Sequence, residues 1–387
     1  MNLELSEEQS AVRDLAASFT DREIAPYAAE WDRAESVDRA IVGKLAEVGF
    51  LGLTIPEEYG GSGGDHLAYC LVLEELGRGD SAVRGIVSVS LGLVGKSVNA
   101  FGTEEQKRHW LPRLTSGQAL ACFALTEPGT GSDAANLTTR AVREGDHWLI
   151  SGAKTFITNG TWADVALVFA RTGGDGPDQR GHRGITAFLV PTDLPGFTRT
   201  EIHGKLGLRG QATAGLSFDG VRVPDSARLG EVGKGFTVAM AALAKGRMSV
   251  AAGCVGIARA CLEAAVRYAG EREQFGKPIA SHQLVQELLA GIAVDVEAAR
   301  LLTWKVADHI ERGLPFATES SVAKLYASEA AVRAANNALQ VFGGYGFIDE
   351  YPVGKYLRDA RVMTLYEGTS QIHQLLIGRA LTGVNAF

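Results

Sequence analysis

The sequence predicts a mainly α protein of three parts, with helices at both ends and a β domain between them. Closely spaced β-type segments begin at about Cys122 without helical segments between them, and alanine-rich helical segments follow Gly235. Because strands that follow one another without helices pair antiparallel, we expect a central antiparallel barrel or sandwich. The expected domains span residues 1–121, 122–232 and 233–387.

Two patterns mark helix starts in the first domain. Ser6 with Gln9, and Thr103 with Gln106, each fit a capping box, in which two side chains satisfy two free backbone N–H groups. In the third domain the helical period covers residues 236–269, 282–311 and 317–341, which are lengths typical of bundle helices. No GxGxxG follows a strand, so a Rossmann domain is not expected.

Composition excludes several classes of protein. The 387 residues carry a formal net charge of −7 with no basic tract, which argues against a nucleic-acid partner. The four cysteines form no CxxC pair and are typical of thiols in a reducing compartment. The acidic N-terminus is unlike a signal or transit peptide, and no apolar run was expected to reach membrane-spanning length. We therefore expect a cytoplasmic protein without membrane insertion.

Two formal matches to catalytic patterns carry little weight. Gly60 to Gly64 satisfy the GxSxG pattern of hydrolases with Ser62 as nucleophile, but IPEEY before it is not an apolar strand. A flexible loop is the better interpretation. The eight histidines form no cluster at ligand spacing, so no metal site is expected.

Four motifs combine residues that suit a ligand site. The glycines of ALTEPGTGSDAA (124–135) bring backbone amides close to a ligand, and TFITNG (155–160) sets a ring beside a hydroxyl. GEREQFGKPI (270–279) sets an arginine and a phenylalanine at a helix end. LYEGTSQIH (365–373) places a glutamate before a glycine and before Thr369 or Ser370, either of which can cap a helix. Each motif alone also fits an ordinary turn, loop or helix start.

Taken together, these motifs resemble the acyl-CoA dehydrogenase family. The matching segments occur in family order across nearly the whole chain: PEEYGG (56–61), LTEPGTGSD (125–133), FITNG (156–160), REQFGKPI (272–279), QVFGGYGFIDEYPV (340–353) and LYEGTSQIH (365–373). The resemblance implies an N-terminal helical domain, a central β domain and a C-terminal four-helix bundle. It also implies FAD as the cofactor and a role in fatty acid metabolism.

The resemblance implies two groups of cofactor-binding residues. For the flavin ring end they are Phe123, Leu125, Thr126, Ser132, Phe156, Thr158, Thr369 and Gln371. For the adenine and pyrophosphate end, across a subunit interface, they are Arg272, Gln274, Phe275, Gln283, Gln340, Gly343 and Gly344. Arginine suits pyrophosphate because its planar fork donates two hydrogen bonds at once. Because this second group would bind the cofactor across a subunit interface, the resemblance implies a homo-oligomer, of the family's tetrameric type.

The same resemblance gives Glu367 the role of catalytic base. It would take the α-proton of an acyl-CoA thioester while the β-hydride passes to flavin N5, which gives a trans-2-enoyl thioester. Some relatives carry the base instead at the position of Gly246, where this chain has no carboxylate. The implied substrate-binding residues are Ser132, Arg247, Tyr366 and Gly368.

Several alternatives stay open at this point. Electrons are expected to pass to an electron-transfer flavoprotein, but an oxygen-using flavin oxidase or monooxygenase shares the fold. The thioester can also be carried by an acyl-carrier protein in a biosynthetic pathway rather than by CoA. A catalytically silent binding protein would show decay of the motifs around Glu367, and none is visible. A hydrolase using Ser62 would need no flavin.

Overall fold

The N-terminal domain is helical from its first capping box onward. The computed structural model describes residues 4–173 and 181–385. Ser6 Oγ accepts from Gln9 N–H at 3.1 Å, and Gln9 Oε1 accepts from Ser6 N–H at 2.9 Å. Thr103 and Gln106 make the same pair of bonds, so both predicted capping boxes are confirmed. The helices of this domain are α1 (Glu7–Glu23), α2 (Ala28–Ala34), α3 (Ile41–Glu47), α4 (His66–Gly79), α5 (Ser81–Val87), a π-helix (Ser88–Gly95), α6 (Lys96–Phe101) and α7 (Glu104–Thr115).

Within the described residues, the central domain is one folded-over sheet of eight strands. They are β1 (Ala121–Ala124), β2 (Arg140–Glu144), β3 (His147–Thr158), β4 (Val165–Arg171), β5 (Ile185–Pro191), β6 (Phe197–Glu201), β7 (Thr213–Pro224) and β8 (Arg228–Leu229). Their order is β6-β7-β3-β2-β4-β5-β8, with β1 beside β4. Strand β4 pairs with β1 and β2 in parallel, and the other pairings are antiparallel.

The sheet closes on itself in the manner of a sandwich. Strands β2 and β4 share a single residue pair, Arg140 with Arg171, so the sheet bends at this joint. Residues from both sides of the joint, such as Leu216 and Val168, lie in one apolar cluster. The other face of β4, with Leu167, packs into the main core of the protein. This agrees with the predicted antiparallel barrel or sandwich, apart from the two parallel pairings.

Sequence patterns resolved these strands only in part. The segments HWLISG and TFITNG were expected as two strands, but they form the single strand β3, interrupted by register shifts after Ile150 and after Lys154. Strands β1 and β6 were not predicted. Both are short, at four and five residues, and offer little periodicity to detect.

The C-terminal domain is a bundle of long helices. Its elements are α8 (Gly235–Glu271), the hairpin of β9 (Glu273–Gln274) and β10 (Lys277–Pro278), α9 (Gln283–Glu311), α10 (Ala317–Phe342), α11 (Val353–Met363) and α12 (Ser370–Thr382). The first three long helices begin and end close to the predicted positions. Helices α8, α9 and α10 pack against one another, and α12 packs on α10.

Glycines let α8 approach the N-terminal domain closely. A Cβ at Gly77 of α4 would lie 2.7 Å from the carbonyl oxygen of Gly253, and one at Gly256 would lie 2.1 Å from that of Glu74. Neither position therefore accepts a side chain without movement of the backbone. Helices α4 and α8 fix the two domains against each other, next to the region where Glu367 lies.

Two helical stretches are longer and more apolar than the sequence analysis expected. Ser81–Phe101 and Gly235–Glu271 reach the length and hydropathy of a membrane span. Most of their residues are buried inside the protein, and core helices of soluble proteins meet the same criteria.

Candidate active site

Glu367 occupies a strained turn between α11 and α12. Its backbone φ is +52°, a left-handed conformation that costs a non-glycine residue of order 1 kcal/mol and is found most often at functional sites. Gly368 follows with φ +102°, which suits glycine. Thr369 then caps α12, because its Oγ1 accepts from the Ile372 N–H at 3.3 Å. The start of α12 thus fixes the direction of the glutamate.

The carboxylate of Glu367 fills the space that a missing side chain leaves on α8. A Cβ at Gly246 would lie 2.2 Å from Glu367 Oε2 and 2.6 Å from Leu93 Cδ2. Gly246 is the position at which some relatives were expected to carry the base. In this protein the same space holds the carboxylate of Glu367.

Burial of this carboxylate outweighs the effect of the positive charges around it. Glu367 Oε2 is buried and has no hydrogen-bond partner among the described residues. Burial raises the pKa of Glu367 to about 7, although the charges of Arg84, Lys324 and Arg247 act to lower it. A carboxylate with this pKa can accept a proton near neutral pH.

Three cations surround Glu367. Lys324 Nζ donates to the carbonyl oxygen of Gly368 at 2.7 Å, and burial lowers its pKa to about 8. Arg247 donates to Ser321 Oγ at 3.4 Å, and its Nε has no partner among the described residues. Arg84 is 2% exposed and donates to the hydroxyl of Tyr366 at 2.5 Å. Arg247 and Tyr366, predicted to bind substrate, therefore lie in the same region as the base.

Gly368 is packed against a histidine. A Cβ at Gly368 would lie 2.9 Å from Nε2 of His373. His373 is fully buried, and neither ring nitrogen has a hydrogen-bond partner among the residues described. Burial lowers the pKa of His373 to about 3, so the ring is neutral at physiological pH. The glycine that was expected to leave room for substrate thus also leaves room for this ring.

The first motif borders the same space from the β domain. Phe123 packs on the small apolar cluster of Val89, Leu93 and Ala242, and Leu93 also borders the carboxylate of Glu367. Leu125 is buried, Thr126 is half-buried and Ser132 is exposed. Phe123 is therefore linked to the base through Leu93.

A buried ion pair anchors this motif. Glu127 accepts from Lys154 Nζ at 2.9 Å, from Thr138 N–H at 2.6 Å and from Thr139 N–H at 2.8 Å. The same Lys154 Nζ donates to the carbonyl oxygen of Leu125 at 3.0 Å. Sequence analysis did not identify this pair, because a lone Glu and a lone Lys 27 residues apart give no local signal.

The end of β3 presents an aromatic ring to solvent. The register shift between Lys154 and Ile157 places Phe156 at φ +58°, and its side chain is 69% exposed. Such bulges commonly redirect side chains beside functional sites. Thr158 donates to Gln211 Oε1 at 3.2 Å, and Gln211 packs against Gly85 of α5. This strand end therefore faces the helices that carry Arg84.

The second predicted cofactor group lies at an exposed end of the bundle. The guanidinium carbon of Arg272 lies 5.4 Å from the ring centre of Tyr345. This contact joins the start of the hairpin to the segment after α10. Phe275 is 93% exposed with φ +55°, and Gly343 ends α10 with φ +59°. The remaining exposed members of the group are Gln274, Gln283, Gln340 and Gly344; of the ring-end group, Gln371 is exposed as well.

Sequence analysis missed two of the three cations around Glu367. Arg84 lies in the apolar run AVRGIVSVSLGLVG, where one charge in a buried helix was the available signal. Lys324 lies on the alanine-rich α10 and is fully buried, which no spacing rule reveals. Ser62, by contrast, lies on an exposed loop after a short 3₁₀ turn (Glu57–Tyr59), so it lacks the strand of a nucleophile elbow.

The site thus consists of a buried carboxylate with a raised pKa in the helical bundle, bordered by residues of the β sandwich. The domains match family models for acyl-CoA dehydrogenases: the N-terminal domain over residues 6–118, the middle domain over 122–221 and the C-terminal domain over 233–382. The chain therefore belongs to the acyl-CoA dehydrogenase family. It is an oxidoreductase of this family and its cofactor is FAD.

Curated relatives agree with this assignment. The chain is 44% identical over 381 residues to an acyl-CoA dehydrogenase of Bacillus subtilis, covering 98% of this chain and 100% of the relative. It is 42% identical over 376 residues to the mitochondrial short-chain specific acyl-CoA dehydrogenase of Homo sapiens, covering 97% and 90%.

Solved structures share the whole fold. Butyryl-CoA dehydrogenase of Megasphaera elsdenii superposes with a TM-score of 0.95 at 40% identity, covering 98% of this chain and all of that one. A chain from work on the electron-transferring flavoprotein of Acidaminococcus fermentans gives 0.96 at 40%, covering 99% and 100%. A glutaryl-CoA dehydrogenase in complex with glutaryl-CoA gives 0.95 at 37%, covering 100% and 98%.

Proposed function

We propose that this enzyme removes the α-proton of an acyl-CoA thioester with Glu367 and yields the trans-2-enoyl thioester. The observation that carries the proposal is the uncompensated Oε2 of Glu367, whose pKa is raised to about 7 by burial. A carboxylate of this kind gains from accepting a proton, as a base acting on a weakly acidic C–H group requires.

The cations around Glu367 are suited to stabilise the negative charge that forms on the substrate. When the α-proton leaves, negative charge develops on the thioester carbonyl oxygen. Arg84, Lys324 and Arg247 supply positive potential at Glu367, and this potential also stabilises an anion formed beside it. The bond from Lys324 to the Gly368 carbonyl holds the turn that carries the base. When bound, FAD supplies the acceptor for the β-hydride at its N5 atom.

The chain's own residues fit FAD at two places. On the β domain, Phe156 offers an exposed ring, and Thr126 and Thr158 offer hydroxyl groups. At the bundle end, Arg272 offers its guanidinium and Phe275 an almost fully exposed ring. Large exposed aromatic side chains usually mark contact surfaces, so these rings are expected to be covered in the holoenzyme.

We further propose a homo-oligomer, a tetramer as in the family, with the second group of cofactor residues serving the neighbouring subunit's FAD. Large apolar side chains of the C-terminal domain that are exposed in the single subunit support this proposal: Phe275, Leu284, Phe347 and Leu381. A cytoplasmic location and a role in fatty acid metabolism complete the proposal.

The proposed electron acceptor is an electron-transfer flavoprotein. One structural neighbour comes from work on such a flavoprotein. The alternative in which oxygen reoxidises the flavin shares the fold, as does a thioester carried by an acyl-carrier protein. The oxygen-using alternatives are expected to have lost or replaced the glutamate at this position, so the presence of Glu367 favours dehydrogenation.

Anaerobic reduction of the flavin tests the proposal. The FAD-loaded protein is mixed with a panel of acyl-CoA thioesters, and bleaching of the flavin is followed by stopped flow for the wild type and for Glu367→Gln. We expect at least one thioester to bleach the wild type, and the variant to react at least about 10³-fold more slowly because the proton acceptor is gone.

Two outcomes would contradict it. Equal rates for wild type and Glu367→Gln would remove Glu367 as the base. A yellow protein that no CoA thioester bleaches would favour the carrier-protein or oxygen-using alternative. Circular dichroism and FAD content of the variant provide the control for folding and loading.

A further inference from the structure

Gln211 places a buried amide between the β domain and α5. The residue is 6% exposed, and its Oε1 accepts from the Thr158 hydroxyl at 3.2 Å. The hydroxyl of Thr213 lies within hydrogen-bond distance of the same oxygen, at 3.4 Å, and of the backbone carbonyl oxygen of Gln211, at 3.3 Å. On the other side, a Cβ at Gly85 of α5 would be 2.1 Å from Nε2. The amide is thus enclosed between two hydroxyl groups and a helix.

The segment between β6 and β7 that carries Gln211 is held by backbone hydrogen bonds. The Leu208 N–H donates to Asp359 Oδ1 of α11 at 2.6 Å, and the carbonyl oxygen of Gly210 accepts from the Val37 N–H at 3.1 Å. The Gln211 N–H donates to the carbonyl oxygen of Leu208 at 3.0 Å. These bonds fix the backbone from which the side chain of Gln211 extends.

The bond to Gln211 uses the only proton of the Thr158 hydroxyl. A threonine hydroxyl has one O–H to donate and two lone pairs that accept. Because Oε1 of an amide carries no proton, Thr158 is the donor in this contact. The hydroxyl of Thr158 therefore offers a ligand its lone pairs and no proton.

Thr158 lies at the end of β3, in the segment that the proposed function assigns to the flavin ring. Ile157 is buried in the apolar cluster of the β domain, whereas Phe156 before it is 69% exposed and Thr158 after it is half-buried. The N–H of Thr155 donates to the carbonyl oxygen of Thr126 at 2.9 Å. This bond joins the two segments whose hydroxyl groups suit FAD.

We propose that Gln211 is a positioning residue: it holds the Thr158 hydroxyl as a hydrogen-bond acceptor and thereby raises the reduction potential of the bound flavin. The inference rests on the proposed function, which places the flavin ring at Thr158. Two-electron reduction of a flavin adds a proton to a ring nitrogen, which changes that nitrogen from an acceptor to a donor. An acceptor at the ring edge thus stabilises the reduced flavin, whereas a hydroxyl donor would stabilise the oxidised flavin.

The test measures the reduction potential of the enzyme without any thioester. The FAD-loaded protein and a reference dye of known potential are reduced together anaerobically, and the ratio of reduced to oxidised flavin is read from the spectra. In Gln211→Met this ratio at a fixed potential should fall by about 10-fold, or about 30 mV for a two-electron couple, because the Thr158 hydroxyl becomes free to donate to the oxidised flavin. Thr213→Val is the matched control, since it removes the other hydroxyl beside Oε1, and it should change the ratio by less than about 2-fold.

Two further variants separate this role of Gln211 from a role in packing. Thr158→Val should lower the same ratio by about 3-fold, because the acceptor is lost and no donor replaces it. Adding Gln211→Met to Thr158→Val should have no further effect, because Gln211 acts on the flavin through this hydroxyl.

An unchanged or raised ratio in Gln211→Met, or an equal fall with and without the Thr158 hydroxyl, would overturn the inference. A raised ratio in Thr158→Val would do the same even if Gln211→Met fails to fold, because Thr158 would then act as a donor. Failure of the proposed function is a separate result: no thioester would bleach the flavin, or Glu367→Gln would react as fast as the wild type, whatever the dye measurement gives.

Discussion

Two glutamates of this protein are desolvated to different effect. Glu127, in the β domain, accepts hydrogen bonds from Lys154, Thr138 and Thr139. Burial acts to raise its pKa, but the charge of Lys154 and these hydrogen bonds lower it to about 2. Glu367, between the helices, has an Oε2 without a partner in the described chain and a pKa of about 7. Burial acts to raise the pKa of both carboxyl groups, but only at Glu127 do an ion pair and hydrogen bonds outweigh it.

The comparison also separates two ways of holding a side chain. Glu127 is held by directed bonds to one strand and to the segment before another. Glu367 is held by the shape of its surroundings, with Gly246 and Leu93 on one side and the strained turn behind it. A carboxylate positioned by shape keeps its lone pairs free for a proton.

The largest effect on stability is expected when the buried ion pair of Glu127 and Lys154 is broken. Lys154→Met should lower the free energy of unfolding by about 3–5 kcal/mol, because Glu127 would be left buried without its cation. The measurement is urea denaturation of the FAD-loaded protein. Glu127→Gln combined with Lys154→Met should lose clearly less than Lys154→Met alone, because no uncompensated charge remains.

A matched control is Lys305→Met on α9, where the lysine is exposed and a change within about 0.5 kcal/mol is expected. If Glu127→Gln with Lys154→Met were as unstable as Lys154→Met alone, the lysine would stabilise the fold through the packing of its side chain rather than through its charge.

The next largest effect is expected at Glu367, whose position is set by the packing of the residues around it. Gly246→Ala should reduce the rate of flavin bleaching by about 10²-fold, because the new methyl group would displace the carboxylate of Glu367. Gly291→Ala on α9 is the control, since the nearest atom to its new Cβ would be 4.0 Å away. We expect that control to keep full activity and to gain up to about 1 kcal/mol of stability.

An unchanged bleaching rate in Gly246→Ala would show that Glu367 does not act from the position seen here. The ratio of FAD to protein should be measured alongside, because loss of cofactor would imitate loss of the base.

The smallest expected effect concerns the pKa of Glu367 and the charges that act on it. The bleaching rate should rise with pH and reach half its maximum near pH 7, because Glu367 accepts a proton only when it is deprotonated. Lys324→Met should move this midpoint upward by roughly one unit or less, since the charge of Lys324 lowers the pKa of Glu367. A midpoint that stays in place or moves downward would show that Lys324 acts only through its bond to Gly368.

Local patterns predicted the parts of the fold that local interactions determine. The capping boxes at Ser6 and Thr103 need residues only three positions apart, and both are present. Long helices were located because many turns repeat one period. Thr369, one of two residues expected to cap the last helix, is its N-cap. Short strands such as β1 gave no comparable signal.

The environment of Glu367 could not be predicted in the same way. The motif around it marked the residue, but its raised pKa depends on burial and on cations from α5, α8 and α10. The same holds for Gly246, whose contact with Glu367 joins residues 121 positions apart in the chain. The expectation that no apolar run reaches membrane-spanning length was wrong for a related reason: long apolar stretches occur here because α8 and the stretch from α5 to α6 are core helices.

The π-helix at Ser88–Gly95 has a consequence for how this enzyme can change over evolutionary time. A π turn is wider than an α turn and typically arises within an α-helix as a local bulge. Removal or gain of one residue in this segment would rotate the following side chains by about 100°, since an α-helix has 3.6 residues per turn. A different side chain would then replace Leu93 beside the base, without any substitution at that position. A one-codon deletion or insertion in this segment would therefore change which residue packs beside Glu367 and Phe123.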